Sequence, residues 1–195
     1  AQLLVGSEGT LAYFQKIKLP LQSIPLHHVL GICLFPTLRS AMEIVPGIVQ
    51  LDASAVELVD RTMIDLANEN PVFRPTIDQF LKGNPAAILL VEFSGDEEQP
   101  LLEKLTHLHE LVRDLNSSVE IIDALDPGFQ AEIWEVRKSG LNILMAMRGD
   151  GKPVSFIEDC AVPLEHLADY TDRLNEEFDR HGVQGTWYAH ASVGT

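Results

Sequence analysis

The sequence has few basic residues and no long apolar run, and each absence excludes a class of function. Its 195 residues contain 14 lysines and arginines against 29 aspartates and glutamates, a formal net charge of −15. This acidic surface lacks the positive field that nucleic-acid phosphates or anionic lipid headgroups require, so we predict neither partner. Because no apolar stretch reaches the roughly 18 residues of a membrane helix, we also predict no membrane span.

Cysteine is also scarce. Cys33 and Cys160 are the only two, and each lies in an apolar run, which favours two buried free thiols in a reducing cytoplasm. Two cysteines alone do not form a Cys-rich zinc or iron–sulfur site. The sequence opens within a predicted strand and stops at Thr195 without a polar tail, so we expect a piece of a longer chain.

Residues 1–22 are predicted to form a hairpin that belongs to a different unit from the rest. Residues 3–5 and 11–19 have strand-like composition, and a glycine-containing turn separates them. Pro20 and Pro25 then make a stiff connection, since proline removes a ladder donor. We therefore predict one unit at residues 1–22 and a second at 23–195.

Strand and helix patterns alternate through the second unit. Apolar runs predict strands at residues 29–35, 56–59, 86–93, 119–122, 154–162 and 186–191. Helical periodicity predicts helices at residues 38–45, 61–67, 77–81, 101–115, 129–147 and 164–178, with the first ending near Pro46-Gly47. Two strand–helix–strand groups, each with an extra antiparallel strand, indicate an α+β fold. We predict a ferredoxin-like duplicated α/β sandwich, an antiparallel sheet with helices on one face.

The first candidate site is the turn made of Gly6, Ser7, Glu8, Gly9 and Thr10. Glycine allows positive φ and close approach of the backbone to a ligand, and the two hydroxyls can hydrogen-bond a phosphate or a ring carbonyl. A plain hairpin turn has the same composition. The composition alone therefore leaves both interpretations open.

The second candidate is Arg137, three residues after Trp134 on one face of a predicted helix. An arginine on an apolar face needs an anionic partner because its charge cannot be shed. That partner is either a structural carboxylate, for which Glu158 on a predicted strand is the candidate, or the carboxylate of a substrate.

The third candidate is His190, on the last predicted strand. A single histidine at such a position is either an ordinary core or surface residue, or a base or metal ligand that acts near neutral pH. The sequence alone does not choose between these roles.

Four stretches together resemble the FAD-linked oxidases of the vanillyl-alcohol-oxidase type, in the D-2-hydroxy-acid dehydrogenase and glycolate oxidase flavin-subunit branch. Each of the four is similar to a family motif, and they occur in the family's order: Gly6-Ser7-Glu8-Gly9-Thr10-Leu11, Trp134-x-x-Arg137, Glu158-Asp159-x-x-Val162-Pro163 and Ala189-His190-Ala191-Ser192-Val193-Gly194-Thr195. The resemblance implies that residues 1–22 are the last hairpin of an FAD-binding domain. It also implies that residues 23–195 are a substrate-binding cap domain, truncated at its C-terminus.

The resemblance also implies a site and a reaction, the oxidation of a D-2-hydroxy acid to the 2-oxo acid by hydride transfer to flavin. Residues 6–10 would contact FAD, Arg137 would bind the substrate carboxylate, and Glu158 and His190 would be catalytic. His190 would also be the first of two histidines on a divalent metal such as zinc. The fragment alone would be inactive, because most of the flavin cradle lies upstream.

The implied partners are the 2-hydroxy acid, the remainder of the flavin domain, and an electron acceptor or iron–sulfur domain. An iron–sulfur cluster would lie elsewhere in the full-length chain, and the enzyme would be cytoplasmic or peripheral to the inner membrane through its acceptor. Val193-Gly194-Thr195 departs from the family's Asp-Gly-Asn, and Ile157 stands where some members carry a substrate-binding lysine. The alternative is a non-catalytic ferredoxin-like module for ligand binding or dimerisation.

Overall fold

Five antiparallel strands form one open sheet in the computed structural model, which describes residues 2–115, 119–147, 153–154, 157 and 160–195. The sheet has the order β4-β1-β3-β2-β5. Its strands are β1 (His27–Phe35), β2 (Ala55–Asp60), β3 (Ala87–Gly95), β4 (Glu120–Ala124) and β5 (Tyr188–His190). The two longest strands, β1 and β3, pair along their whole length, so the most apolar segments of the sequence lie at the centre of the sheet.

Eight α-helices surround this sheet. They are α1 (Gln2–Val5), α2 (Leu38–Gln50), α3 (Arg61–Glu69), α4 (Arg74–Phe80), α5 (Glu98–Leu115), α6 (Pro127–Lys138), α7 (Gly140–Met145) and α8 (Leu167–Arg180), among the described residues. Short 3-10 helices at Leu164–His166 and Ala191–Val193 complete the elements. None of the helices in the described part of the chain is long and apolar enough to cross a bilayer.

The succession β1-α2-β2-β3-α5-β4 is a β-α-β-β-α-β unit of the ferredoxin-like type. It confirms the predicted α+β class and antiparallel sheet. Only one such unit is complete among the described residues, and β5 extends its sheet beside β2.

The helices cover both faces of the sheet, whereas the sequence analysis expected them on one. Alternate residues of β1 point to opposite sides, so that Val29 and Cys33 pack with α2, α5 and α8, whereas Leu30 and Ile32 pack with α3, α4, α6 and α7. A strand with apolar side chains at successive positions presents them on both faces of the sheet, so both faces need a covering layer. The unbroken apolar runs of β1 and β3 already contained that signal.

Two predicted helix ends differ from the structure. Helix α2 continues through Pro46 to Gln50, because the apolar face that includes Val45 and Ile48 packs into the core and outweighs the lost backbone hydrogen bond. The single helix predicted at 129–147 is instead α6 and α7, separated at Ser139. A serine–glycine pair lowers helix propensity there, and a Cβ at Gly140 would lie 3.0 Å from Met63 Cε.

The predicted N-terminal hairpin is absent. Residues 2–5 form the short helix α1, residues 6–10 form a turn, and residues 11–26 contain no helix or strand. In the described part of the chain no strand pairs with this segment, and an isolated strand would leave its backbone groups without partners. Most of its large apolar side chains are exposed.

The two cysteines differ in environment. Cys33 is a buried free thiol on β1, as predicted, and burial raises the pKa of its thiol, which lowers its reactivity. Cys160 is exposed, contrary to prediction. The strand predicted at 154–162 is not formed at residues 154, 157 or 160–162, which are the described positions in it.

Candidate active site around Glu57

The site is built on Glu57, a carboxylate inside the buried strand β2. Its neighbours Val56 and Leu58 face the α2 and α8 side of the sheet, so Glu57 points to the opposite side, beneath α6. In the antiparallel register of β2 and β5, Glu57 lies directly opposite His190. Pairing thus places both side chains on the same face of the sheet.

Glu57 uses its two oxygens on two different partners. Oε2 accepts a hydrogen bond from Nη2 of Arg137 at 2.7 Å, and Oε1 lies 2.7 Å from Nδ1 of His190. The Glu57 and Arg137 side chains are only 10% and 15% exposed, whereas the His190 side chain is 67% exposed. The carboxylate therefore links a buried guanidinium to an imidazole whose other edge is accessible to solvent.

Arg137 has unused hydrogen-bonding capacity. Its Cζ lies 5.4 Å from the centroid of the Tyr188 ring, a cation–π arrangement. Its Nε is buried and has no partner among the described residues. Because a buried N–H without an acceptor costs about 1–3 kcal/mol, this guanidinium is suited to an additional anionic partner.

Helix α6 is held in place by contacts from both of its ends. Asp126 caps its first turn by accepting from the Phe129 backbone N–H at 2.7 Å. Gln130 donates to the His28 and Ala124 carbonyls. One turn before Arg137, Trp134 Nε1 donates to Glu92 Oε2 at 2.9 Å. The Trp-x-x-Arg spacing therefore docks one helix face onto two carboxylates, Glu92 of β3 and Glu57 of β2.

Asp60 holds the C-terminal strand that carries His190. Its carboxylate accepts hydrogen bonds from the backbone N–H groups of Met63 and Trp187 and from the Thr186 hydroxyl. Burial raises the pKa of Asp60 above its ordinary value, and these donors oppose that shift. One buried residue thus caps α3 and fixes the approach to β5.

A small apolar cavity lies beside Arg137. Its volume is about 40 Å³, room for a small apolar group. Among the described residues that line it, only Arg137 and Tyr188 carry a charged or hydroxyl group. The rest are apolar, among them Val59, Leu90 and Ile133. Such a lining disfavours a second charged group next to the guanidinium.

The structure brings together only some of the predicted site residues. Arg137 and His190 meet through Glu57. Among the described residues, the backbone and side-chain hydrogen bonds of residues 6–10 all close within the N-terminal segment. Glu158, the carboxylate predicted to pair with Arg137, lies outside the described residues. The carboxylate that binds Arg137 in the described structure is Glu57.

The predicted metal site is not complete within the described chain. The described residues contain no group of three or more His, Cys, Asp or Glu side chains arranged to hold a metal ion. His190 contributes a single nitrogen donor, and three or more protein ligands are usual for catalytic zinc. The described residues do not by themselves make up a metal site.

The sequence analysis missed Glu57, the carboxylate of the site, and Glu92, a structural carboxylate that contacts Trp134 of α6. The available signal was a carboxylate between the apolar residues Val56 and Leu58 of a short strand, and Glu92 stands in the same way between Val91 and Phe93. A charge on a strand that is otherwise buried needs a cationic partner. For Glu57 this partner is Arg137, which lies 80 residues further along the sequence.

Comparison with known proteins gives one consistent result. The family "FAD linked oxidases, C-terminal domain" matches residues 24–195. A D-2-hydroxyglutarate dehydrogenase of Pantoea ananatis is 31% identical over 99% of this chain and 20% of its own length. A mitochondrial D-lactate dehydrogenase [cytochrome] of Arabidopsis thaliana is also 31% identical, over 99% of this chain and 32% of its own. The chain thus spans a fifth to a third of these relatives.

A solved structure supports the fold. An alkyldihydroxyacetonephosphate synthase superposes with a TM-score of 0.54 at 12% identity, over 82% of this chain and 32% of that one. At this identity the similarity concerns the fold alone. The match over residues 24–195 shows that the chain belongs to the FAD-linked oxidases and contains their C-terminal domain.

Proposed function

We propose that this chain is the substrate-binding part of a flavoenzyme that oxidises a D-2-hydroxy acid to the 2-oxo acid, with Arg137 as the group that binds the substrate carboxylate. The observation that carries the proposal is the buried Arg137 guanidinium, which Glu57 holds and whose Nε has no partner among the described residues. A guanidinium held in this way is suited to a second carboxylate.

His190 is proposed to take the hydroxyl proton. Its Nδ1 lies against Glu57 and its accessible edge carries Nε2. As the carbinol C–H bond breaks, the proton of the hydroxyl moves to Nε2 and the C–O bond becomes a carbonyl. When bound, the flavin ring supplies the acceptor for the hydride.

Residues 6–10 are proposed to form one wall of the flavin site. Glu8 and Gly9 have φ of 47° and 77°, and a Cβ at Gly9 would meet no atom within 4 Å. Such a turn leaves room for close approach of a ligand. The Ser7 and Thr10 hydroxyls already donate to the Leu4 and Ser7 carbonyls. We therefore propose that the backbone of this turn, and not these hydroxyl protons, contacts the flavin.

We further propose a substrate with one carboxylate and a short apolar side chain. Among the described residues, the lining of the cavity beside Arg137 is apolar apart from Arg137 and Tyr188. The family resemblance also implies that Ile157 replaces a substrate-binding lysine of some members. A second carboxylate near this lining would be desolvated without a partner.

The test uses the natural full-length protein, purified and titrated anaerobically. We expect a flavin absorption band that bleaches when D-lactate is added, and kcat/KM at least about tenfold higher for D-lactate than for D-2-hydroxyglutarate, the effect of about 1.4 kcal/mol. A colourless protein, or one whose flavin no 2-hydroxy acid reduces, would disprove the proposed reaction. A preference for the dicarboxylate would disprove only the proposed substrate class.

A further inference from the structure

Glu57 lies at the centre of the site, although no motif of the sequence analysis included it. Its two carboxylate oxygens have different partners, Arg137 Nη2 and His190 Nδ1, each at 2.7 Å. The carboxylate is nine-tenths buried, so water competes little for either oxygen. The rigid sheet holds it, since β2 pairs with β3 on one side and β5 on the other.

We propose that Glu57 is the positioning residue that fixes the tautomer of His190 and the orientation of Arg137. An ionised carboxylate only accepts hydrogen bonds, so the neutral imidazole must place its proton on Nδ1 to satisfy Oε1. The lone pair of His190 is then on Nε2. This inference rests on the proposed function, because that lone pair is the one assigned to accept the substrate proton.

The same carboxylate determines how Arg137 presents its donors. With Nη2 bound to Oε2, the guanidinium plane is held from one corner, and its remaining N–H groups point elsewhere. The two candidate groups are thus set relative to each other by one side chain. Replacing Glu57 therefore disturbs Arg137 and His190 together. Loss of a structural ion pair with only one of them would leave the other unchanged.

Glu92 offers a matched control on the neighbouring strand. It also uses both oxygens, with Oε2 bound to Trp134 Nε1 and Oε1 3.4 Å from Nδ1 of His28. Its side chain is 17% exposed, close to the value for Glu57. Glu92 therefore shares the strand environment, the helix α6 and a histidine contact, but it touches neither Arg137 nor His190.

The experiment measures the His190 tautomer directly in this chain from 15N chemical shifts recorded over a pH series, and the tautomer is determined from the spectra of the neutral imidazole. In the wild type we expect a proton on Nδ1 and a bare Nε2. In Glu57→Gln the amide can donate to Nδ1, so we expect the proton to move largely to Nε2. Glu92→Gln should leave the His190 shifts unchanged.

Activity of the full-length enzyme gives the second readout. We expect Glu57→Gln to lower kcat about 10- to 100-fold, the range for loss of a partner that orients a functional histidine. Glu92→Gln should stay within about threefold of the wild type, so that the loss at Glu57 is not a general effect of neutralising a carboxylate under α6.

The outcomes separate the two proposals. A wild-type His190 with its proton on Nε2, or a tautomer that Glu57→Gln does not change, would overturn the positioning role. If the His190 15N shifts are as expected but the full-length protein oxidises no 2-hydroxy acid, the positioning role stands and the proposed function is disproved. Should Glu57→Gln fail to fold, the wild-type tautomer alone still decides, since a proton on Nε2 contradicts the inference.

Discussion

Replacing Arg137 with lysine should lower kcat/KM for the hydroxy acid about 10- to 100-fold in the full-length enzyme while the protein stays folded. Lysine keeps a positive charge beside the buried Glu57 carboxylate, so the sheet loses no counter-ion. It lacks the planar fork that lets Arg137 bind Glu57 and a substrate carboxylate together. Loss of a charged hydrogen bond of about 1.5–3 kcal/mol corresponds to roughly 10- to 100-fold in rate.

The control for this variant is Arg61→Lys. Arg61 begins α3, which covers the same face of the sheet as Arg137, and it pairs with Asp65 on the surface of that helix. Its side chain is 38% exposed. Exposed pairs of this kind contribute little, so activity should remain within about twofold. Equal activity of Arg137→Lys and the wild type would show that Arg137 serves only the fold.

Replacing Gly194 with alanine should break the packing of the Gly194 backbone against the Val162 backbone and cost about 3 kcal/mol of the free energy of unfolding. A Cβ at Gly194 would lie only 2.0 Å from the Val162 carbonyl oxygen, and its φ is 71°. The backbone hydrogen bond from Val162 N–H to the Gly194 carbonyl, 2.9 Å long, could not form in that position. Denaturant unfolding of this chain measures the effect.

Gly182→Ala separates the cost of the conformation from the cost of the clash. Gly182 also has a positive φ, 64°, but a Cβ there would meet no atom within 4 Å. It should cost only about 1 kcal/mol, the penalty for a left-handed residue with a side chain. Similar losses for both variants would mean that the close approach of Gly194 to Val162 adds nothing beyond the conformational penalty.

The central sheet could be predicted from the sequence because its signals are local. The apolar runs of β1 and β3 are long and unbroken, and Thr37 caps α2 as its position before an apolar face indicates. The break between α6 and α7 had only a weak local signal, the Ser139-Gly140 pair. The sequence does not show that Met63 Cε packs close to Gly140, because α3 is distant along the chain.

Only part of the site could be predicted, because one of its residues joins the others through long-range strand pairing. Arg137 and His190 stand in motifs that can be identified along the chain. Glu57 joins them only because β2 pairs with β5 across 133 residues of sequence. A sequence pattern shows that a buried charge needs a partner, but it does not show the strand register that supplies one.

The most direct test of the account is a crystal structure of the full-length protein with FAD and a bound 2-oxo acid. The account predicts the ligand carboxylate within about 3 Å of the Arg137 guanidinium nitrogens, with Glu57 still bound to Nη2 and the reacting carbon between His190 and the flavin ring. A ligand carboxylate bound elsewhere, with Arg137 facing away from the ring, would contradict it.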